Sequence, residues 1–192
     1  MRAVIPTGAM SRKNITGSEE QKNRWGGHED FVVELNLFHK AKLDDPMPES
    51  AQRMSFSALK VLMNRAEEGT LQFRDEPRRD ETSPCEADTI KMQGCQHLIE
   101  LRETLKKNQK TRFGQPKRVM RLYYFEPQFG GPLSTVSLCG LHIASKPADE
   151  ADVYGEQDAA IIKAASRSVS WFQDEIEASE RRKAIEATRS TQ

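Results

Sequence analysis

Val119-Met120-Arg121-Leu122-Tyr123-Tyr124-Phe125-Glu126 is the stretch on which the reading of this chain turns, an apolar and aromatic run between a lysine-rich and a glycine-rich connection. Such a run reads as a β-strand. Leu98-Ile99-Glu100-Leu101 before it and Val136 to Ile143 after it have the same texture. Together with Ile90 and Met92 they predict a β-meander of three or four antiparallel strands. Gly130-Gly131-Pro132 supplies the turn between the last two, and Pro147 ends the final strand.

Outward from the meander, the chain predicts a helix on either side. Ser55 is placed as an N-cap for a helix with Phe56, Leu59, Met63 and Ala66 on one face and Gly69 as its stop. Ile162, Ala165, Val169, Phe172 and Ile176 recur at 3-4-3-4 spacing, one stripe of a helix starting near Gln157. Phe31-Val32-Val33-Glu34-Leu35, a β-branched and aromatic run, reads as a first strand, and Pro46 and Pro48 break the segment after it. The expected organisation is a flexible arm over 1–29, with Trp25 the residue that packs back. Next comes a domain over 30–176 with a loop insertion near 74–88, and then a solvated helical extension over 177–192. The fold class is α+β, a small antiparallel meander packed against N-terminal and C-terminal helices.

Composition sets limits. With 192 residues, 36% hydrophobic and 30% charged, the chain suits one domain with a modest core. No apolar run approaches the roughly 20 residues of a membrane helix, and the N-terminus lacks a secretory apolar region. The expectation is a cytoplasmic protein without a membrane partner. Cys85, Cys95 and Cys139 share no metal-like spacing, so free thiols, no metal and no cofactor are expected.

Charge is where function shows. Arg102, Lys106, Lys107, Lys110, Arg112, Lys117, Arg118 and Arg121 face a single acid, Glu103, over twenty positions of a chain with net charge +0. Between two strands this segment forms the mouth of a hairpin, and such a surface attracts polyanions.

Three segments resemble a known family. Leu98-Ile99-Glu100-Leu101-Arg102 resembles the "L-x-E-L-R" strand of the RelE/HigB superfamily of small toxins, in particular its phage-derived HigB-like branch. Arg121-Leu122-Tyr123-Tyr124-Phe125 resembles the following "R-x-x-Y/F-F" strand, and Val136-Ser137-Leu138-Cys139-Gly140-Leu141 the "V-L-L-H-G-F" strand. The helix ending Glu67-Glu68-Gly69, with Lys91 ahead of the meander, also fits, and the likeness spans roughly residues 30 to 172.

The resemblance implies a RelE/ParE-like fold and a metal-independent endoribonuclease that cuts messenger RNA on the ribosome, restrained by a cognate antitoxin. That chemistry needs a base for the ribose 2′-hydroxyl, cations on the phosphate and an acid for the leaving oxygen. Arg102 and Arg121 fall on matching strand positions and are the candidates for phosphate binding in catalysis. Lys91, Lys106, Lys107, Lys110, Arg112, Lys117, Arg118 and Lys146 are candidates for binding the RNA backbone. Tyr123 and Tyr124 point to opposite faces of their strand; one belongs to the core, and Tyr124 is the candidate for stacking on a base.

The chain departs from the family where Cys139 stands in place of the frequent histidine. His142, expected on the opposite face from Cys139, is the candidate base or acid, with His97 a second. Tyr154 could replace a C-terminal aromatic. Asp149, Glu150, Asp152, Glu156 and Asp158 would repel phosphate or cover the basic patch in cis. Two other readings stand beside the nuclease: a non-catalytic binding module on the same fold, and a gyrase-directed toxin of the ParE branch.

Overall fold

The computed structural model describes residues 24–68, 82–84, 98–102, 118–127, 138–147 and 153–189. In chain order they form β1 (Trp25–Gly27), α1 (Glu29–His39), α2 (Glu49–Glu67), β2 (Thr82–Pro84), β3 (Ile99–Arg102), β4 (Arg118–Phe125), β5 (Leu138–Pro147) and α3 (Val153–Arg189). The fold class is α+β. One sheet runs in the order β1-β5-β4-β3-β2.

β4 is the middle strand, and β3 and β5 flank it antiparallel, as the meander predicts. Met120, Leu122 and Tyr124 on one face pack with Ile99, Leu101 and Ile143 against α1 and α2. Tyr123 and Phe125 on the other pack with Leu98, Cys139 and Leu141 against α3. A strand covered on both faces carries a nearly continuous apolar sequence, which is why this run stands out.

The first strand lies elsewhere than expected. Phe31-Val32-Val33-Glu34-Leu35 belongs to α1: Glu29 and Asp30 fill the first turn, and His28 Nδ1 accepts from the Asp30 amide as an N-cap. Phe31 and Phe38, seven residues apart, face the core, while Val32 and Val33 face outward, Val33 at 57% exposure. Helical burial of two phenylalanines outweighs the weak β-preference of the valines. The strand is Trp25–Gly27, within the segment expected to be a flexible arm, and it pairs parallel to Leu138–Gly140. Trp25 packs on Tyr124 with ring centroids 5.4 Å apart and donates its indole N–H to Met63 O at 3.0 Å.

Two glycines give Phe31 its place. Gly27 and Gly140 are register partners, and a Cβ on either would lie 2.5 or 2.2 Å from the Phe31 ring. The ring therefore lies directly on bare backbone.

α2 starts at Glu49 behind Pro48, well before Ser55, which is buried in the helix interior. Proline suits a helix start, where its missing N–H is not needed. Gln52 closes the α1–α2 turn: its side chain accepts from Leu43 N and donates to Leu43 O and Met47 O. The predicted face holds, with Leu59, Met63 and Ala66 buried and Phe56 packed beside them.

Within the predicted 74–88 loop, Thr82–Pro84 forms β2 on β3. α3 begins at Val153 rather than near Gln157. Its buried face is rotated from the predicted stripe: Ala160, Ile161, Ala164, Ala165, Ser168, Trp171 and Phe172 are inside, while Ile162 and Ile176 are exposed. The sheet's Tyr123, Phe125 and Leu141 select the side that carries the small alanines. Pro147 ends β5, whereas Gly69, Ile90, Met92 and Gly130-Gly131-Pro132 lie outside the described residues.

Candidate functional site

The candidate site forms where β5 runs beyond its neighbour. β1 pairs only with residues 138–140, so from Leu141 onward no described strand covers that side of β5. Side chains take over its backbone groups. Arg167 donates to Leu141 O at 2.8 Å, Glu34 accepts from Ile143 N at 3.1 Å, and Asp45 accepts from Ser145 N at 2.8 Å. An open edge is thus closed by charged groups from α1, α3 and the α1–α2 turn.

A bulge sets the direction of His142. The register passes from Tyr124↔Gly140 to Tyr123↔His142, so Leu141 is the extra residue. Cys139 and His142 therefore stand opposite Phe125 and Tyr123, which share a face; simple alternation had placed them on opposite faces. The His142 ring lies nearly parallel to Tyr123, centroids 6.2 Å apart. Its Nδ1 is 2.8 Å from Glu34 Oε2 and 3.3 Å from Arg167 Nη1.

Glu34 is the hub of a charged seam. Its Oε1 receives Arg167 Nη1 at 2.9 Å and Lys163 Nζ at 3.2 Å, and Arg167 Nη2 also reaches Asp30 at 3.1 Å. Asp30 and Glu34 lie four residues apart on α1, and Lys163 and Arg167 four apart on α3, so each pair occupies one helix face. Burial alone would raise the Glu34 pKa, but hydrogen bonds and charge from His142 and Arg167 outweigh it and bring it to about 2. Burial pushes the His142 pKa below its usual 6.5, partly offset by the Glu34 carboxylate, with Lys163 and Arg167 lowering it further. His142 is thus neutral at pH 7. With a carboxylate oxygen on Nδ1, the proton belongs on that nitrogen, and Nε2 is left as an acceptor.

Other predicted site residues are placed differently. Arg121 is 3% exposed and ion-paired with Glu100 across β3 and β4. Its guanidinium is a core group that presents nothing to a phosphate. Tyr124 is fully buried beside Trp25, so it is the core tyrosine rather than a base-stacking one, and Tyr123 is buried as well. Arg118 donates to Ser145 Oγ at 2.6 Å and Ser145 O at 3.1 Å and pairs with Glu156, which turns a predicted RNA-binding cation inward. That pair is one case of the acidic segment covering a basic residue in cis. Lys146 donates to Gln157 at 3.1 Å. Arg102 ends β3 with its Cα opposite that of Arg121. Lys91, His97, Lys106, Lys107, Lys110, Arg112 and Lys117 lie outside the described residues, as do Asp149, Glu150 and Asp152.

Cys139 is buried, and burial together with the Glu175 charge raises its pKa, so it is a poor nucleophile. Among the described residues no cluster of His, Cys, Asp or Glu suits a metal ion, and no helix is long and apolar enough to cross a membrane.

Of the predicted catalytic residues whose side chains are described, Arg121 and His142, it is His142 that stands in a chemically organised setting, and the sequence reading did not single out its partners Glu34, Lys163 and Arg167. The signal was the matched i,i+4 spacing of two acids and two bases, hidden because residues 31–35 read as a strand. The chain matches no known family model, and no curated protein or solved structure shows significant similarity to it.

Proposed function

We propose that this protein is a metal-independent endoribonuclease of the toxin type its strands resemble, cutting messenger RNA on the ribosome and held in check by an antitoxin. The observation that carries this reading is His142, a neutral imidazole fixed through Nδ1 by Glu34. An imidazole so held can take the 2′-hydroxyl proton at Nε2 as the oxygen attacks the adjacent phosphorus, and the 5′-oxygen leaves with a proton from an acid or water. The resulting imidazolium is stabilised by the Glu34 carboxylate behind it. Lys163, 52% exposed and 3.2 Å from Glu34, is the cation positioned to meet a phosphate oxygen at the surface. The basic segment that ends at Arg118 joins the sheet opposite Pro147, five residues beyond His142, or about 16 Å along the strand.

A non-catalytic module that binds nucleic acid or protein is supported over the nuclease by one separate observation, that described cations needed to stabilise a phosphate during cleavage are already paired. Arg118 and Arg121 are committed to Glu156 and Glu100, and the seam's two cations are matched by two carboxylates. Primer extension on messenger RNA from a translating extract separates the two readings. Codon-spaced cuts that require the protein and vanish in His142→Gln support the nuclease. RNA retained but uncut supports the binding module, and cuts that persist in His142→Gln remove the imidazole from the mechanism.

A further inference from the structure

We infer that Arg167 is the positioning residue of the His142 site: it holds both the backbone that presents the imidazole and the carboxylate that orients the ring. This inference rests on the proposed role of His142, though its structural half can be tested without RNA. Nη1 of the one guanidinium lies 2.8 Å from Leu141 O and 2.9 Å from Glu34 Oε1. Leu141 is the bulge residue, so this carbonyl belongs to the peptide leading into His142. Glu34 Oε1 belongs to the carboxylate whose other oxygen takes the imidazole N–H. Nη2 reaches Asp30, anchoring the guanidinium to the N-terminal turn of α1.

The geometry excludes a simpler role for Arg167 as a partner of the imidazole itself. Its distance to His142 Nδ1 is 3.3 Å, against 2.8 Å for Glu34. Nδ1 has a single position for a proton or a lone pair, and a carboxylate oxygen at the shorter distance requires the proton there. The two hydrogens of Nη1 are then accounted for by Leu141 O and Glu34 Oε1. Arg167 thus acts on His142 through two intermediaries, with Nε2 left as the acceptor. The charged or titratable groups facing the ring are Glu34 on α1, Lys163 and Arg167 on α3, and Tyr123 on β4.

Loss of the guanidinium removes one of the two positive charges beside the ring and leaves Glu34 paired with Lys163 only, so the His142 pKa rises. Long-range proton–nitrogen spectra of the full-length 15N-labelled protein read tautomer and titration together, with His142→Gln assigning the signal. Wild type is expected to show the Nδ1–H tautomer at neutral pH. In Arg167→Met the tautomer becomes mixed and the titration midpoint moves up. Arg167→Lys, which keeps the charge but cannot bridge both acceptors, is expected to keep a lower midpoint than Arg167→Met while still losing the single tautomer; it serves alone if the methionine variant does not fold. An unchanged tautomer and midpoint in a folded variant overturns the inference, as does an Nε2–H tautomer in wild type. Under the nuclease reading, Arg167→Lys lowers kcat at least tenfold with little change in KM and shifts the acid limb of the pH–rate profile upward. If the spectra change as expected and wild type cuts no RNA, the positioning holds and the nuclease reading fails.

Discussion

Arg121 and Glu100 share an ion pair with almost no access to water, and a buried charge left without its partner is far less tolerable than the loss of both. Arg121→Ala is therefore expected to destabilise the fold by about 3–5 kcal/mol, whereas replacing the pair together by Met and Leu recovers most of that loss. Urea denaturation of the single and double variants measures the difference, and a single variant as stable as wild type contradicts the pairing. Gly140 makes a second demand at this scale. Because a Cβ there would stand 2.2 Å from the Phe31 ring, Gly140→Ala is expected to lower stability by about 1–3 kcal/mol, visible as a drop in the urea midpoint with an unchanged slope. Gly140→Ala combined with Phe31→Leu should lose less than the two single changes added together, since the smaller side chain makes room.

Among the elements, α3 divides in two. Up to Phe172 it covers the sheet; beyond that its side chains are exposed or half-exposed, and Arg181–Glu177 and Arg182–Glu175 pair along the helix itself. At 37 residues it is about 55 Å long, more than the sheet beneath it requires. Removing residues 178–192 is expected to change the unfolding free energy by less than about 0.5 kcal/mol while lowering far-UV helical ellipticity, and a large drop in stability would show that the extension packs on the domain. The elements also differ in how plainly they could be read. β4 announces itself because both its faces are covered, and α2 because Leu59, Met63 and Ala66 repeat at helical spacing. β1 offers only Trp-Gly-Gly, whose value lies in partners more than a hundred residues away. α1 was obscured by two valines that its fold turns toward solvent. The bulge at Leu141, and with it the side on which His142 lies, has no local signature; it arises from how β5 aligns on β4. His142 was legible as a candidate, but its partners depended on two helices docking on one strand, and the inward fate of Arg121 depended on Glu100.

At the scale of the molecule, His142, Glu34 and Glu126 shape stability below pH 9 among the described residues. His142 has a folded pKa below its ordinary 6.5, so the stability linked to its neutral form is complete above 6.5 and declines as pH falls through the folded value. Glu34, lowered to about 2 from 4.5, adds a second loss, complete above 4.5 and exhausted as pH falls through about 2. Glu126 works in the other direction: burial raises it to about 7, so its contribution is complete below 4.5 and lost as pH rises through 7. Just below pH 6.5 the trends of His142 and Glu126 oppose, and each offsets part of the other. Glu126→Gln should be more stable than wild type at pH 8.5, by on the order of 3 kcal/mol, and His142→Gln should flatten the acid limb below pH 6.5. Thermal unfolding across pH 3 to 9 measures both effects, and parallel curves for wild type and Glu126→Gln would assign the alkaline loss to another group. The sealing of β5 has a bearing on how copies of the chain meet. With Leu141 O, Ile143 N and Ser145 N already engaged by Arg167, Glu34 and Asp45, a passing extended peptide meets three backbone groups on this border of the sheet that already have partners. Strand-on-strand growth from this border in crowded solutions at neutral pH is thereby disfavoured, and acid strong enough to discharge Glu34 would release the Ile143 amide to it.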